Sequence, residues 1–454
     1  MPERKRVAVL ADSDTRWKWG VTTARRLVPD HRLTGYLLRG RATPTARQLG
    51  EVGVETDRPT EVTCAGFLAE IAREHYDVVV LALVGGAVQA VLHGARALWP
   101  APATRPVLVT GYVGVVYEKL ADGLLLRHGA DLVLANSRHD AERFRAVYEG
   151  VGADAGAVTE TALPFLGGAP YQPAGSRPHT VVFAVQPSVP DSRADRAYLL
   201  ERAAGHARKH PDREVLIKLR SKPGEHTTHL EEQPYQRLAE KIPGGLPANC
   251  RLVYGNMGEV LDGTDLLVTV SSTAALEALH RSIPTAVLTD LGVREALGNH
   301  HFLGSGCLAS WDQLDSGLLP EGDPVWLAAQ GVRPTAAPGP AAAGAAGPAA
   351  AGAGASGDAY ALARAKAAGL LAATRLPPPT PYYTLTTAPG YLPGILARHR
   401  LAPDGTPLPG TARQEEDGSR LRRRLRAHLR EAARGAYRHG VQRVAPVIRR
   451  LGEL

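Results

Sequence analysis

"VTVSSTAALEAL", Val268 to Leu279, places three consecutive hydroxyl residues between an uncharged run and a helix-forming segment. Leu266–Val270 has the make-up of a strand covered on both faces of a parallel sheet. Ser271, Ser272 and Thr273 then fall at a helix N-terminus. Two readings stand side by side. Ser and Thr are ordinary N-caps. The same free N–H groups, with the helix dipole behind them, also form a phosphate site. Glu277 lies four residues after Thr273 and six after Ser271, so it does not complete a capping box; Arg281, four residues further on, is available as its partner.

The same alternation recurs on both sides of this stretch. Val181–Val185, Val215–Leu219, Leu252–Tyr254 and Thr285–Leu288 read as neighbouring strands, with helices such as Arg193–Lys209 between them. Upstream, Val7–Ala11, Leu33–Leu38, Val78–Leu83, Val107–Thr110, Leu132–Ala135 and Glu160–Leu163 form a second set. The expected fold is α/β: two Rossmann-like parallel-sheet domains facing a cleft, at residues 1–166 and 180–333, joined by a Gly/Pro-rich linker at 167–179. Ligands of open parallel sheets bind beyond the carboxyl ends of the strands. Residues 334–357 are low-complexity Ala/Gly/Pro, expected to be a disordered insertion. Residues 358–376 read as a helix returning to the body. Residues 377–454 read as an irregular segment followed by a basic amphipathic helix over 419–451.

The chain has 454 residues, 44% hydrophobic and 22% charged, which suits two globular domains. Its net charge of +8 is concentrated: residues 418–454 carry eleven arginines against Glu431 and Glu453, and the rest is close to neutral. This argues against a broad nucleic-acid surface. It leaves one localised contact, to an anionic membrane, to an acidic partner or to the body of the protein. Cys64, Cys250 and Cys307 are far apart, which rules out a disulfide framework or a thiolate zinc site. Asp12 interrupts the first apolar run, so the N-terminus does not read as a signal peptide. The longest apolar run, Val78–Leu92, is too short to span a bilayer. A cytoplasmic protein is expected, at the inner face of the membrane if the tail binds lipid.

The commoner nucleotide-binding motifs are missing. A dinucleotide fingerprint needs glycines straight after the first strand, and here none occurs before Gly20. There is no Walker G-x-x-x-x-G-K-[ST] motif. Instead "IKLRSKPGEHTTH" (217–229) puts Lys218 inside an apolar strand, with Arg220 and Lys222 at period two. An isolated buried ammonium is costly, so a cation there calls for a nearby anion, either a ligand's phosphate or a carboxylate. His226 and His229 follow as candidates to contact phosphate or sugar.

These features resemble a known group. "SSTAALEALHRSIP" (271–284), "FAVQPSVP" (183–190), "IKLRSKPGEHTTH" and "ADLVLANSRHDAERF" (130–144) are similar to nucleotide-sugar glycosyltransferases of the GT-B fold. More narrowly they resemble an actinobacterial family of putative glycosyltransferases, over residues 5–330. More distantly they resemble bacterial surface-polymer transferases that use CMP-sugars or CDP-polyols. The resemblance implies that Ser271, Ser272 and Thr273 contact the donor phosphate and Glu277 the ribose, with Gln186 among the substrate-binding residues. The His-Pro that those enzymes often carry after the cation-bearing strand is replaced here by Lys218 to Ser221.

Such an enzyme needs a base on the first domain to deprotonate an acceptor hydroxyl. Asp12 and Asp14, after the first strand and before a helix expected from Val21, are candidates. Glu118, after "TGYVGVVY", is another. Asp-Ser-Asp also matches the metal-binding D-x-D of the other glycosyltransferase fold, but that motif normally follows a later strand. No metal is expected, because a helix N-terminus with Lys218 and Arg220 can neutralise a leaving phosphate. No cofactor is expected beyond the nucleotide-sugar donor, which is a substrate. Trp17, with Trp19, either stacks on a sugar or belongs to the core. Ser137 to Asp140 reads as a helix cap. The expected function is transfer of a sugar to a cell-surface polymer or lipid-linked acceptor. A nucleotide-sugar 2-epimerase and a non-catalytic glycan- or partner-binding module are the alternatives.

Overall fold

The computed structural model describes residues 4–409, apart from 41, 55, 116–118, 223–224, 226–230, 232 and 333–357. Glu118, His226, His229, the low-complexity insertion and the basic tail therefore lie outside the described residues.

Two all-parallel sheets form. The first contains β1 (Lys5–Ala11), β2 (His31–Leu38), β3 (Thr60–Val62), β4 (Val78–Ala82), β5 (Val107–Gly111), β6 (Leu132–Ala135) and β7 (Val158–Glu160), in spatial order β3-β2-β1-β4-β5-β6-β7. The second contains β8 (His179–Ala184), β9 (Arg213–Lys218), β10 (Cys250–Val253), β11 (Leu266–Thr269), β12 (Thr285–Leu288) and β13 (Leu308–Ala309), in order β10-β9-β8-β11-β12-β13. Strand order reverses between β1 and β4 in the first sheet and between β8 and β11 in the second. The central residues of these four strands are fully buried, which explains why Val7–Ala11, Val78–Ala82, Val181–Ala184 and Leu266–Thr269 carry no charge.

β3 and β13 are edge strands too short to show an alternating pattern. β7 spans Val158–Glu160 and not Glu160–Leu163. Leu163 is buried for a different reason: it packs with Leu166 against Leu276 and Leu279 of the second domain.

The helix Asp14–Leu27 shows how the sequence shapes the first domain. It begins well before Val21, capped by Ser13, whose Oγ accepts from Arg16 N. Gly20 meets the sheet so closely that a Cβ there would lie 2.6 Å from Val9 and 2.9 Å from Ala82. Trp17 reaches outward over Gly35 of β2, and Trp19 over Gly111 of β5. A Cβ on either glycine would strike the indole, at 2.3 Å and 2.8 Å respectively. Missing side chains in two strands thus make room for two tryptophans only two residues apart. Both are 1% exposed. Trp17 is therefore a core residue, and it offers no ring face to a sugar.

After the second domain the chain returns to the first. The helix Ala361–Ala372 buries Ala363 and Ala367 against it, and Leu376 bridges to Ala103 in antiparallel fashion. The segment expected to be irregular contains the helix Leu392–Arg398, which buries Leu392, Ile395 and Leu396. The Tyr383 carbonyl accepts from Gln89 (3.2 Å) and lies 2.9 Å from His93 Nε2. The hydroxyls of Tyr383 and Tyr391 donate to Asp122. Among the described residues, no helix is long and apolar enough to cross a membrane.

Candidate functional site

The carboxyl ends of the two sheets face each other, and each switch point is braced in the same way. In the first domain Asp12 follows β1. Its Oδ2 accepts from Val84 N, just beyond β4, at 2.9 Å, and its Oδ1 accepts from Arg16 Nη1 at 2.9 Å. In the second domain Gln186 follows β8, and its Oε1 accepts from Ser271 N, just beyond β11, at 2.9 Å. A side chain after one central strand thus holds the backbone after the other in both halves.

The hydroxyl cluster divides its work. Ser271 is 4% exposed and donates to the Leu297 carbonyl at 2.6 Å, so it is an internal brace. Ser272 Oγ accepts from Ala274 N at 3.2 Å, which makes it a cap of the helix Ala274–His280. Thr273 makes no side-chain cap bond; its Oγ1 faces the first domain, where a Cβ on Gly114 would lie 3.2 Å away. Ser137 is the cap expected of it, with Oγ accepting from Asp140 N at 3.0 Å. Glu277 does not pair with Arg281, which is drawn to Asp262 and to the Gly167 and Gly258 carbonyls.

Lys218 ends β9 and is 6% exposed. Its Nζ donates to the Leu219 carbonyl at 2.7 Å, and among the described residues it makes no ion pair. Burial, the dominant influence, lowers its pKa to about 8. Ala184 of β8 pairs with Lys218 on one side and Thr269 on the other. The ends of β9 and β11 are therefore two strand spacings apart, about 10 Å.

Polar side chains meet across the cleft at several places. Arg220 donates through Nη2 to Asp14 Oδ1 at 2.7 Å and to the Thr15 hydroxyl. Lys18 Nζ pairs with Glu277 Oε2 at 3.3 Å. Arg47 grips Glu225 with two guanidinium nitrogens, and Thr45 Oγ1 donates to the same carboxylate at 3.3 Å. For Arg220 the anion is thus a carboxylate. Asp14 is 8% exposed. Burial opposes its charge, but the Arg220 guanidinium and the Thr15 N–H outweigh burial and hold its carboxyl below the usual range.

Thr15, Lys18, Arg47, Glu225 and Arg196 had no sequence signal of their own. The first four matter because of partners on the other domain, about two hundred residues away. Arg196, 1% exposed, donates to the carbonyls of Gln186, Pro187 and Pro190 and to Glu231, and so shapes the turn after β8.

Other features lie at the opposite, amino edges of the sheets. His206, His210 and Asp315 have ligand atoms within 4.8 Å of one another, but Arg202 pairs with Asp315 and Arg213 lies against His206. A cavity of about 480 Å³ below the first sheet is lined by His128, Asp131, Lys366 and Thr380. The cleft therefore offers a buried carboxylate on one wall and two cations on the other.

A family model described as "Putative glycosyltransferase (DUF6716)" matches residues 7–344. No curated protein matches the chain. Among solved structures, a putative UDP-N-acetylglucosamine 2-epimerase from Listeria monocytogenes is 14% identical, with 71% of this chain and 93% of that one covered and a TM-score of 0.46. The S. aureus MnaA–UDP structure is 11% identical, with 73% and 91% covered and a TM-score of 0.48. The glycotransferase of kitacinnamycin is 12% identical, with 91% and 98% covered and a TM-score of 0.42.

Proposed function

The chain belongs to the DUF6716 family of putative glycosyltransferases, and from that premise we propose that it moves a sugar from a nucleotide-activated donor on its second domain to an acceptor on its first. The observation that carries this reading is the meeting of Asp14 and Arg220 beyond the carboxyl ends of two facing sheets, with Lys218 buried alongside. Asp14 is the base. It takes the proton of the acceptor hydroxyl as the new glycosidic bond forms and the bond from the sugar to the phosphate breaks. Lys218 and Arg220 stabilise the negative charge left on the phosphate, without a metal. Asp12 is the weaker candidate, because its two oxygens already hold Val84 N and Arg16.

The acceptor in this proposal is a cell-surface polymer or lipid-linked glycan, with the arginine-rich tail holding the enzyme at an anionic membrane. Loss of binding to anionic vesicles on deleting residues 418–454 is the expected result, and unchanged binding refutes the membrane role.

The donor reading is tested by thermal stabilisation with UDP, CDP, GDP, TDP, CMP and their sugars. A ligand at one hundred times its Kd stabilises by about 2.7 kcal/mol. Stabilisation that weakens in Lys218→Ala and Ser272→Ala is expected. No stabilisation by any nucleotide rejects the reading, and stabilisation indifferent to both substitutions moves the site elsewhere.

A further inference from the structure

The anion seated on Arg220 is the chain's own Asp14 carboxylate, supplied from the opposite domain. We infer that the donor's phosphate and Asp14 compete for Arg220, so that donor binding exchanges one anion for the other and releases Asp14 to act as base. This rests on the reading of Arg220 as a donor-phosphate ligand.

Three observations carry the exchange. First, one guanidinium nitrogen, Nη2, serves both first-domain partners, the Asp14 carboxylate and the Thr15 hydroxyl. A donor phosphate oxygen is the same kind of anionic acceptor, so it suits the same guanidinium. Second, Asp14 is 8% exposed with Arg220 against it, which keeps an acceptor hydroxyl from the carboxylate while the pair is intact. Third, Arg220 is the main counterweight to burial in keeping the Asp14 carboxyl low, with the Thr15 N–H and hydroxyl contributing. When the guanidinium turns to a phosphate, burial acts unopposed by it and the carboxylate becomes a stronger base near neutral pH. The base is therefore masked until the donor is seated, which gives donor-before-acceptor order and protects the carboxylate from unproductive encounters.

The test is the affinity of the full chain for UDP, CDP and the other nucleotides named above, measured by calorimetry. Asp14→Asn keeps the size of the side chain and removes its charge, and is expected to bind the recognised nucleotide about tenfold tighter while losing turnover, since a competitor for Arg220 is gone. Thr15→Val, which removes the hydroxyl that accepts from Arg220 and donates to Asp14, is expected to tighten binding by about threefold and serves if Asp14→Asn does not fold. Arg220→Gln weakens binding, and adding Asp14→Asn to it restores nothing, because the effect of Asp14 passes through Arg220. If the wild type binds a nucleotide and neither Asp14→Asn nor Thr15→Val binds it more tightly, the exchange is wrong and the donor reading survives. If no variant binds any nucleotide, both fall.

Discussion

The two switch points are built to one plan and charged in opposite ways. In each, a side chain after the first central strand grips the backbone N–H after the second, Asp12 to Val84 and Gln186 to Ser271. In the first domain the gripping group is a carboxylate, with Asp14 beside it. In the second it is a neutral amide, with Lys218 and Arg220 nearby. The shared brace belongs to the fold; the proposed chemistry rests on the charges. Holding a backbone N–H accounts for Asp12 and Gln186 as braces; under the proposed function the base is Asp14, which meets Arg220 across the cleft.

The sharpest way to break this contrast lies within the first domain. Asp14→Asn should lower sugar transfer by about 10²–10⁴-fold. Asp12→Asn should affect mainly folding, costing about 1–3 kcal/mol in a denaturant titration. Equal losses of turnover would erase the distinction between brace and base. Next in size is Trp19→Ala, which empties the space above Gly111 and should cost about 3–5 kcal/mol. Nucleotide affinity should not change, because the indole lies in the first domain's core; a specific loss of affinity would place it in the site.

Lys218→Met should weaken nucleotide binding by about ten- to a hundredfold, the range of a hydrogen bond to a charged group. Its pH behaviour sharpens the point. Lys218 has a pKa of about 8 in the fold, against an ordinary 10.5. Below pH 8 the folded protein carries a buried ammonium at full cost. Between about 8 and 10.5 the unfolded chain holds that proton and the folded one does not, so stability gains from this group as pH rises. Nucleotide affinity should fall over the same window as the charge is lost. Both slopes should vanish in Lys218→Met; slopes that persist belong to other groups. The smallest effect is that of Ser272→Ala, about 1 kcal/mol of helix capping, with a matching modest loss of nucleotide affinity.

Both sheets were legible in the sequence because central parallel strands must be uncharged over four or more residues, and Leu266–Val270 and Val78–Ala82 show that plainly. The edges were not. β3 and β13 are too short to carry a pattern, and Leu163 is apolar because it packs between domains. Within the cleft, Lys218 stood out as a cation inside an apolar run. The partner of Arg220 did not, because Asp14 is distant in sequence and only the folded arrangement brings the two together. Trp17 was ambiguous for a similar reason: what decides its place is Gly35, a residue defined by having no side chain.

The return of residues 358–409 to the first domain changes what the second domain is. The chain leaves the first body after residue 166 and is packed on it again by residue 358, so the six-stranded sheet is a cassette set within its host and not an appendage at one end. The host's own strands are complete before the cassette begins, and the returning helices Ala361–Ala372 and Leu392–Arg398 pack against it afterwards. Replacing residues 180–332 with a short flexible connector should therefore leave a foldable seven-stranded unit with Asp14 released from Arg220, and would permit the whole second wall of the cleft to be exchanged between relatives while the first stays fixed.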